Sequence, residues 1–497
     1  MGSIKKLAGE TLWYGVPTIA SRFLSYLLSI LMVGIFQTSE FGVITTLYAA
    51  IPFLNIIFTY GLETSYFRYV QHYEKKHVYN TLQTSIIVTS LVFTGCLLFL
   101  TEPVSRLLEI EDHPEYIRWL AWIVLLDTLA TLPLALLRQE GRPRKFAFVR
   151  VGSILANIAL MLLFYVVAPS YQDNLLFFWY DPEMGVGYVL IANILASVIG
   201  LLLLWKELKQ YRFSFDFELW KKVIKYALPL LVVGFGGMIN EMLSRVIFLK
   251  VSPLPEQEKL HALGVFGANY KLAVLITIFI QVFRMAAEPF FFNQSKDKNA
   301  PRTYARVMKF FVIACCFMYL GVNLFLDVWK WLITWKYEAY GEGIYIVPVL
   351  TVGSVCLGIY YNLSIWYKLT GQNMIGAYIT LGGAVLTILL NIWWIPLFSY
   401  TGSAWATLIC YASMMIASYL LGKKYYPIPY AWKKLVAYLI ITFLIYLLHR
   451  WLNGFFESIF FSLGSGIILV AVFALFVFRI ERHDLPVKFG GKRRPGA

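Results

Sequence analysis

The 497-residue chain is 59% hydrophobic and only 14% charged, and it has a formal net charge of +15. A soluble globular protein carries about 45–50% apolar and about 25% charged residues, and its interior is too small to bury the excess seen here. The composition therefore excludes a soluble enzyme or a nucleic-acid-binding domain and predicts a polytopic membrane protein.

Fourteen apolar segments follow one another along the chain, and a helix needs about 20 such residues to cross a bilayer. The first segment follows Lys5 and Lys6, as a signal peptide would, but it continues to Phe36 without a cleavage site. We therefore interpret it as a retained helix. The thirteenth segment is short for a spanning helix. The predicted segments are 11–36, 41–63, 80–101, 119–137, 147–168, 186–205, 226–249, 264–290, 308–326, 343–366, 374–396, 402–421, 435–448 and 459–478.

Basic residues concentrate on one side of this arrangement. An even number of crossings places both termini on the same side. The N-terminus, the even-numbered loops and the C-terminal tail hold 32 of the 43 Lys and Arg residues when Arg150 and Lys309, near the starts of segments five and nine, are counted with the adjoining loops, and the odd-numbered loops hold 7. The positive-inside rule makes the basic side cytoplasmic. This asymmetry explains the net charge without a nucleic-acid partner and predicts that both termini are cytoplasmic.

Short motifs recur in the same order in the two halves of the chain. Six segments separate the partners, so the two halves have the same orientation in the membrane, which is the parallel-repeat arrangement. The recurring features are the Tyr-x-x-Pro motifs at 14–17 and 226–229, the glycines Gly42 and Gly264 that each precede a tyrosine by six residues, and the pairs Gly141/Gly152 and Gly371/Gly382.

The repeat predicts an all-α fold of about 14 transmembrane helices, with two pseudo-symmetric six-helix bundles and two additional C-terminal helices. Two bundles that face each other across a cleft are typical of alternating-access transporters. The predicted divisions are an N-terminal bundle at 1–210, a C-terminal bundle at 211–425, helices 13 and 14 at 426–480, and a basic cytoplasmic tail at 481–497.

Arg22 lies near the middle of the first segment, on a helical face that also carries Thr18, Ser25 and Ser29. A charge within the hydrocarbon is costly, so this polar face is expected to line a water-filled cavity. No acid within the same helix can pair with Arg22. The cation either binds an anionic ligand in the cavity or pairs with an acid of another helix, such as Asp127.

Further charged residues lie within segments seven and eight. Arg245 follows Glu241 by four residues, the spacing of a helical ion pair. Arg284 precedes Glu288 by four and is a candidate for either a local pair or the cavity. Lys271, thirteen residues before Arg284, is also a cavity candidate, although about 220° around a straight helix separates the two.

Arg68 lies at the cytoplasmic end of the second segment. It is either an anchor that follows the positive-inside rule or a contact of the substrate. The acids Asp127, Glu241 and Glu288 could couple transport to a proton or a cation. The membrane potential is the alternative energy source.

The sequence contains no motif of catalysis. GxxxxGK[ST] and HExxH are both absent, so neither a P-loop nor a zinc protease site is expected. The five cysteines all lie in apolar runs and without CxxC spacing. We therefore expect no catalytic residue, no cofactor and no metal, and we interpret the protein as a non-enzyme.

Four stretches of the chain resemble the oligosaccharide flippases, which are the Wzx-type polysaccharide transporters of the multidrug/oligosaccharidyl-lipid/polysaccharide exporter superfamily. These stretches are Gly61-Leu62-Glu63-Thr64 with Arg68, Leu137 to Arg142 with Phe146, Tyr226 to Pro229, and Leu263 to Phe266 with Tyr270 and Lys271. The resemblance covers nearly the whole chain.

The resemblance implies a function. Members of the family flip polyprenyl-diphosphate-linked sugars from the cytoplasmic to the outer leaflet of the bacterial inner membrane, for the assembly of surface polysaccharide. The family's cavity is cationic, with basic residues on the first, second and eighth helices. Arg22, Arg68, Lys271 and Arg284 occupy those helices here. They are therefore expected to bind the diphosphate, because arginine binds such anions in a bidentate manner.

Other functions remain open at this point. The cargo is alternatively a lipid-linked peptidoglycan precursor. A multidrug-type exporter of cations would favour a carboxylate in the first helix, where this chain has Arg22. A membrane polysaccharide polymerase or ligase, or a non-transporting scaffold, belongs to a different class. The expected partners are the lipid-linked sugar, the bilayer and other polysaccharide-assembly proteins, and not nucleic acid.

The predicted topology is tested by cysteine labelling in intact cells. A cysteine at Asp173, in the fifth loop, should react with an impermeant reagent from outside, because odd-numbered loops are predicted to be external. A cysteine at Arg144, in the fourth loop, should react only after the membrane is permeabilised. The reverse pattern, or labelling of both positions from one side, contradicts the topology.

Overall fold

The computed structural model of the protein describes residues 20–171, 177–295, 297–456 and 458–482. These described residues form helices and turns, without a β-strand. Twelve helices are long and apolar enough to cross a membrane, and two shorter apolar helices complete the set of fourteen in the described part of the chain. The predicted all-α polytopic class is confirmed, and each predicted segment corresponds to one helix.

The helices are numbered α1 to α14 in chain order. Their bounds are Ala20–Ile35 (α1), Thr38–Tyr69 (α2), Lys75–Phe99 (α3), Glu115–Gln139 (α4), Pro143–Ser170 (α5), Gly187–Leu203 (α6), Phe217–Val251 (α7), Glu256–Gln294 (α8), Ala300–Asn323 (α9), Glu338–Leu369 (α10), Asn373–Phe398 (α11), Tyr400–Tyr425 (α12), Trp432–Asn453 (α13) and Ile459–Glu481 (α14). At 22 residues, α13 is longer than its predicted segment and reaches spanning length.

Two glycines of the predicted repeat form equivalent turns. Gly141 joins α4 to α5 with φ +65°, and Gly371 joins α10 to α11 with φ +72°. Glycine adopts this left-handed conformation without a steric penalty, because it has no Cβ atom. Glycine therefore recurs at these two positions because the turn requires a positive φ in both halves of the chain.

Polar contacts fix the helix ends on the basic side of the first half, which is the predicted cytoplasmic side. Glu207, which follows α6, is fully buried and pairs with Arg142 at 2.7 Å and with Lys145. Asp216 caps α7 by accepting a hydrogen bond from the backbone N–H of Leu219. This bond, together with one from His77 of α3, holds the pKa of the Asp216 carboxyl below its usual value. Part of the basic charge on this side therefore serves local structure.

The closest approach between helices occurs where α2 crosses α8. A Cβ atom added to Gly42 would overlap the backbone carbonyl of Leu260, and one added to Gly264 would overlap the backbone carbonyl of Thr38. Each of these carbonyls belongs to the residue four positions before the opposite glycine. The two contacts are therefore equivalent, which explains the recurrence of glycine at these positions of the predicted repeat.

The helices pack as two compact units. The first contains α1 to α8 and α10 to α12, and the second contains α9, α13 and α14. In the second unit the fully buried carboxylate of Glu481 accepts hydrogen bonds from Lys309 at 2.6 Å and Tyr438 at 2.6 Å, and Lys434 lies 2.5 Å away. Packing contacts do not test the predicted division into repeats at residues 210 and 425, which stays a prediction.

Substitution of Gly42 by Ala tests the crossing of α2 and α8. The added methyl group meets a backbone carbonyl that cannot rotate away, so we expect destabilisation by about 3 kcal/mol. The measurement is thermal unfolding of the detergent-purified protein. Gly95→Ala in α3 is the control, because no atom lies within 4 Å of the added Cβ and alanine favours a helix. Equal unfolding temperatures for the two variants would contradict the proposed role of Gly42.

Candidate functional site

Arg22 lies on the exposed side of α1, together with Ser25. Ser29 continues this face and donates a hydrogen bond from its hydroxyl to the backbone carbonyl of Ser25 at 3.0 Å. Thr18, the fourth member of the predicted polar face, lies outside the described residues. Among the residues that the structure describes, no carboxylate lies within ion-pair distance of Arg22. Its guanidinium is therefore accessible from the space beside α1.

Charged groups from three other helices act electrostatically on Arg22. Glu241 of α7 attracts it, whereas Arg284 of α8 and Arg150 of α5 repel it. The phenol of Tyr361 in α10 also contributes. Arg22 and Arg284, two of the predicted diphosphate-binding cations, therefore lie close enough for their charges to repel each other. One acid and two further cations thus act on Arg22, so positive charge exceeds negative charge among these groups.

Asp127 has a hydrogen-bond partner on a neighbouring helix of the same half. The Ser197 hydroxyl of α6 donates to its carboxylate at 2.7 Å, and the cation that acts on it is Arg150. Within the described residues, no ion pair joins Asp127 to Arg22. A functional role of Asp127 in ion coupling stays a prediction.

Arg150 is not among the candidate residues predicted from the sequence, because it lies close to the basic loop before α5. The helix begins at Pro143, so Arg150 lies seven residues, or about 10 Å, along its axis. Proline is favoured in the first turn of a helix and marks such a start. Arg150 also lies within the predicted segment 147–168, so its position inside a helix was available from the sequence.

Arg245 is 5% exposed and lies against two aromatic rings of α8. Its guanidinium carbon is 5.5 Å from the ring centre of Phe266 and 4.6 Å from that of Tyr270. Its Nη1 donates to the backbone carbonyl of Glu241 at 2.7 Å. The predicted contact of Arg245 with Glu241 is thus made through the main chain, and the carboxylate of Glu241 is left available to other groups.

The helical geometry of α7 changes where Glu241 lies. Residues Ile239–Leu243 form a π-helical turn, which widens the helix by one residue and recurs at functional sites of membrane and soluble proteins. The charges that act on the Glu241 carboxylate are those of Arg245 and Arg22. The π-helical turn therefore carries Glu241, on which both Arg22 of α1 and Arg245 of α7 act.

The two cations of α8 have different surroundings. The guanidinium carbon of Arg284 lies 4.8 Å from the ring centre of Tyr361. Lys271 lies deeper, and Arg245 is the charged group that acts on it. The side chain of Glu288 lies outside the described residues, so its predicted pairing with Arg284 stays a prediction.

Arg68 lies near the C-terminal end of α2, on the ring of Tyr226 in α7 at 4.1 Å. Tyr226 belongs to the Tyr-x-x-Pro motif that recurs in the two halves. The contact therefore joins this end of α2 to the first part of α7. Its predicted role as a contact of the substrate is not tested by this placement.

No group of three or more His, Cys, Asp and Glu side chains in the described part of the chain is arranged to hold a metal ion. The charged residues of the candidate site are instead arginines and one lysine, with Glu241 and Asp127 as the acids. Guanidinium groups bind phosphate and carboxylate groups through paired N–H donors. The chemistry that this site supports is the binding of an anion.

Comparisons with known proteins agree on the class of molecule. A family model described as "Polysaccharide biosynthesis protein" matches residues 7–294. No curated protein matches the chain in sequence. In structure, the chain is similar to a protein described as "Lipid II flippase MurJ, inward closed conformation", with a TM-score of 0.72 and 13% identity over 94% of this chain and 99% of that one.

The chain is also similar in structure to a multidrug resistance MATE family transporter of the MOP superfamily. For its inward-facing conformation the TM-score is 0.62, with 14% identity over 83% of this chain and 94% of that one. For an outward-facing conformation the TM-score is 0.56, with 16% identity over 84% and 95%. At these identities the likeness establishes a shared fold. The family model covers more than half of the sequence, which confirms the predicted membership: the chain belongs to the polysaccharide biosynthesis protein family, that of the Wzx-type transporters.

Proposed function

We propose that this protein is a flippase that moves a polyprenyl-diphosphate-linked oligosaccharide from the cytoplasmic to the outer leaflet by alternating access. It would act in the bacterial inner membrane with both termini in the cytoplasm. The observation that carries the proposal is that Arg150 and Arg284 act electrostatically on Arg22, whereas the acid that acts on it, within the described residues, is Glu241. A diphosphate diester has two negative charges, which suit these cations.

The direction of transport follows from the charge of the cargo. An inside-negative membrane potential favours outward movement of an anion by about 2.3 kcal/mol per charge and 100 mV. The diphosphate would bind Arg22 while the cavity is open to the cytoplasm. Asp127, Glu241 and Glu288 remain the candidates for coupling to a proton or a cation.

The close contact between α2 and α8 is consistent with such a cycle. The crossing of α2 and α8 leaves no space between them at Gly42 and Gly264. These residues lie near the outer ends of both helices in the predicted topology. A return to the outward-facing state requires that α2 and α8 separate there.

A second candidate cargo is a lipid-linked peptidoglycan precursor. The observation in its favour is the likeness to the protein described as a lipid II flippase, with a TM-score of 0.72. Native mass spectrometry of the protein purified from its host distinguishes the two cargoes. A co-purified polyprenyl-diphosphate sugar of polysaccharide type supports the proposal, a peptide-bearing disaccharide supports the alternative, and a bound organic cation would contradict both.

Substitution of Arg22 tests the proposed site. Arg22→Ala should abolish flipping of a fluorescent polyprenyl-diphosphate sugar in proteoliposomes while the unfolding temperature changes by only a few degrees, because an exposed cavity residue contributes little packing. Arg22→Lys should retain part of the activity, since a point charge loses bidentate geometry. Arg118→Ala, at an exposed position of α4, is the control and should flip normally.

A structural role of Arg22 predicts a different result. If Arg22 were the charge partner of an acid within a span, such as Asp127, its loss would leave that carboxylate unpaired in the membrane and would destabilise the fold by roughly 3–5 kcal/mol. The double variant Arg22→Gln, Asp127→Asn would then recover both stability and flipping. Such recovery would show that the substrate binds elsewhere.

A further inference from the structure

One histidine connects the outer ends of α2, α8 and α10. Nδ1 of His261, in the first turns of α8, lies 2.7 Å from the hydroxyl of Thr38 at the start of α2. Its Nε2 lies 3.1 Å from the carboxylate of Glu342, in the 3₁₀ turn that begins α10. We refer to Thr38, His261 and Glu342 as the outer contact.

The outer contact adjoins the glycine crossing. Thr38 is buried, and its backbone carbonyl is the group against which Gly264 packs. The side chain of His261 is 35% exposed and that of Glu342 is 58% exposed. Protons from the aqueous phase therefore have access to the imidazole, although its Thr38 partner is held within the crossing.

Protonation changes the strength of this contact. In the neutral imidazole, Nε2–H donates to Glu342 while Nδ1 accepts from the Thr38 hydroxyl. In the protonated imidazole both nitrogens donate, and the bond to Glu342 becomes an ion pair. A hydrogen bond between two charged groups is stronger than one with a neutral donor. Histidine is the side chain whose charge ordinarily changes between pH 5 and 8.

The other charged groups near these helix ends have partners of their own or are exposed. On α2, Glu40 accepts from the backbone N–H of Gln37 at 2.8 Å. On α8, Lys259 pairs with Glu109 at 3.1 Å. Within the described residues, the polar partners of the His261 ring are Thr38 and Glu342. The remaining charged residues at these ends are the exposed Glu256, Glu258, Lys336 and Glu338.

We propose that His261 is a pH-sensitive contact that stabilises the outer-closed state when the outer medium is acidic. The helices α2 and α8 belong to opposite halves of the predicted repeat, so outward opening separates Thr38 from His261. Protonated His261 opposes this separation more strongly than neutral His261 does. The inference rests on the proposed alternating-access cycle, but it is independent of the identity of the cargo.

The test measures the distance between the outer ends of α2 and α8 in the full-length protein. Spin labels are attached at Ser39→Cys and Gln257→Cys, in a background without the five native cysteines, and the protein is reconstituted in proteoliposomes with a fixed internal pH. Pulsed electron resonance then gives the population with separated helix ends. Acidification of the outside from pH 7.5 to 5.5 should lower this population about 2- to 5-fold, as expected for a partly exposed ion pair.

Three variants identify the group responsible. His261→Gln keeps a neutral side chain with hydrogen-bonding capacity and should abolish the response to acid. Glu342→Gln should do the same, and its exposed position makes it a test even if His261→Gln does not fold. His113→Gln is the matched control, because His113 pairs with Glu115 only two residues away and joins no two helices. This variant should retain the response.

Two results would overturn the proposal: a response to acid that persists in both His261→Gln and Glu342→Gln, or a wild-type distance distribution that does not change with external pH. Because the readout is a distance and requires no cargo, neither result bears on the flippase assignment. That assignment fails independently if Arg22→Ala still flips the lipid-linked sugar.

Discussion

The crossing of α2 and α8 at Gly42 and Gly264 is the constraint on which the rest of the first unit depends. Each glycine packs against a backbone carbonyl, and a carbonyl in a helix cannot move aside as a side chain can. The crossing fixes the separation of two helices that carry Arg68 and Arg284 near their other ends. Aromatic packing follows the same geometry, since the ring of Phe41 meets that of Tyr340 in an edge-to-face contact at 5.9 Å.

Two cations of the candidate site are held by groups that do not neutralise them. Arg68 lies on a tyrosine ring, and Arg245 lies between aromatic rings and a backbone carbonyl. A cation–π contact or a carbonyl holds a guanidinium in place and leaves its full charge. An ion pair would cancel that charge. This choice of partners keeps the interior attractive to an anion, and it explains how several arginines coexist with few acids.

Sequence was sufficient for the helices, whereas the roles of the candidate site residues stay predictions. A membrane helix satisfies its own backbone hydrogen bonds, so length and apolar composition alone identify it. The glycine pairs were visible because a backbone requirement restricts the residue type. Arg150 was not predicted as a charge of the candidate site, because a charged residue near the end of a helix is easily assigned to the adjacent loop. The aromatic contacts of Arg245 and the serine partner of Asp127 were not predictable. They come from other helices, and hydropathy identifies helices without showing which of them pack together.

The buried carboxylate of Glu481 has a consequence for the biogenesis of the protein. Its partner Lys309 lies in α9, 172 residues earlier in the chain. At a synthesis rate of about 5–20 residues per second, α9 leaves the ribosome roughly 10–30 s before Glu481 exists. During this interval the ammonium of Lys309 has to be accommodated by the insertion machinery or by lipid headgroups. The second unit is thus completed only by the last helix, and a nascent chain that stops before α14 exposes a basic helix to quality control.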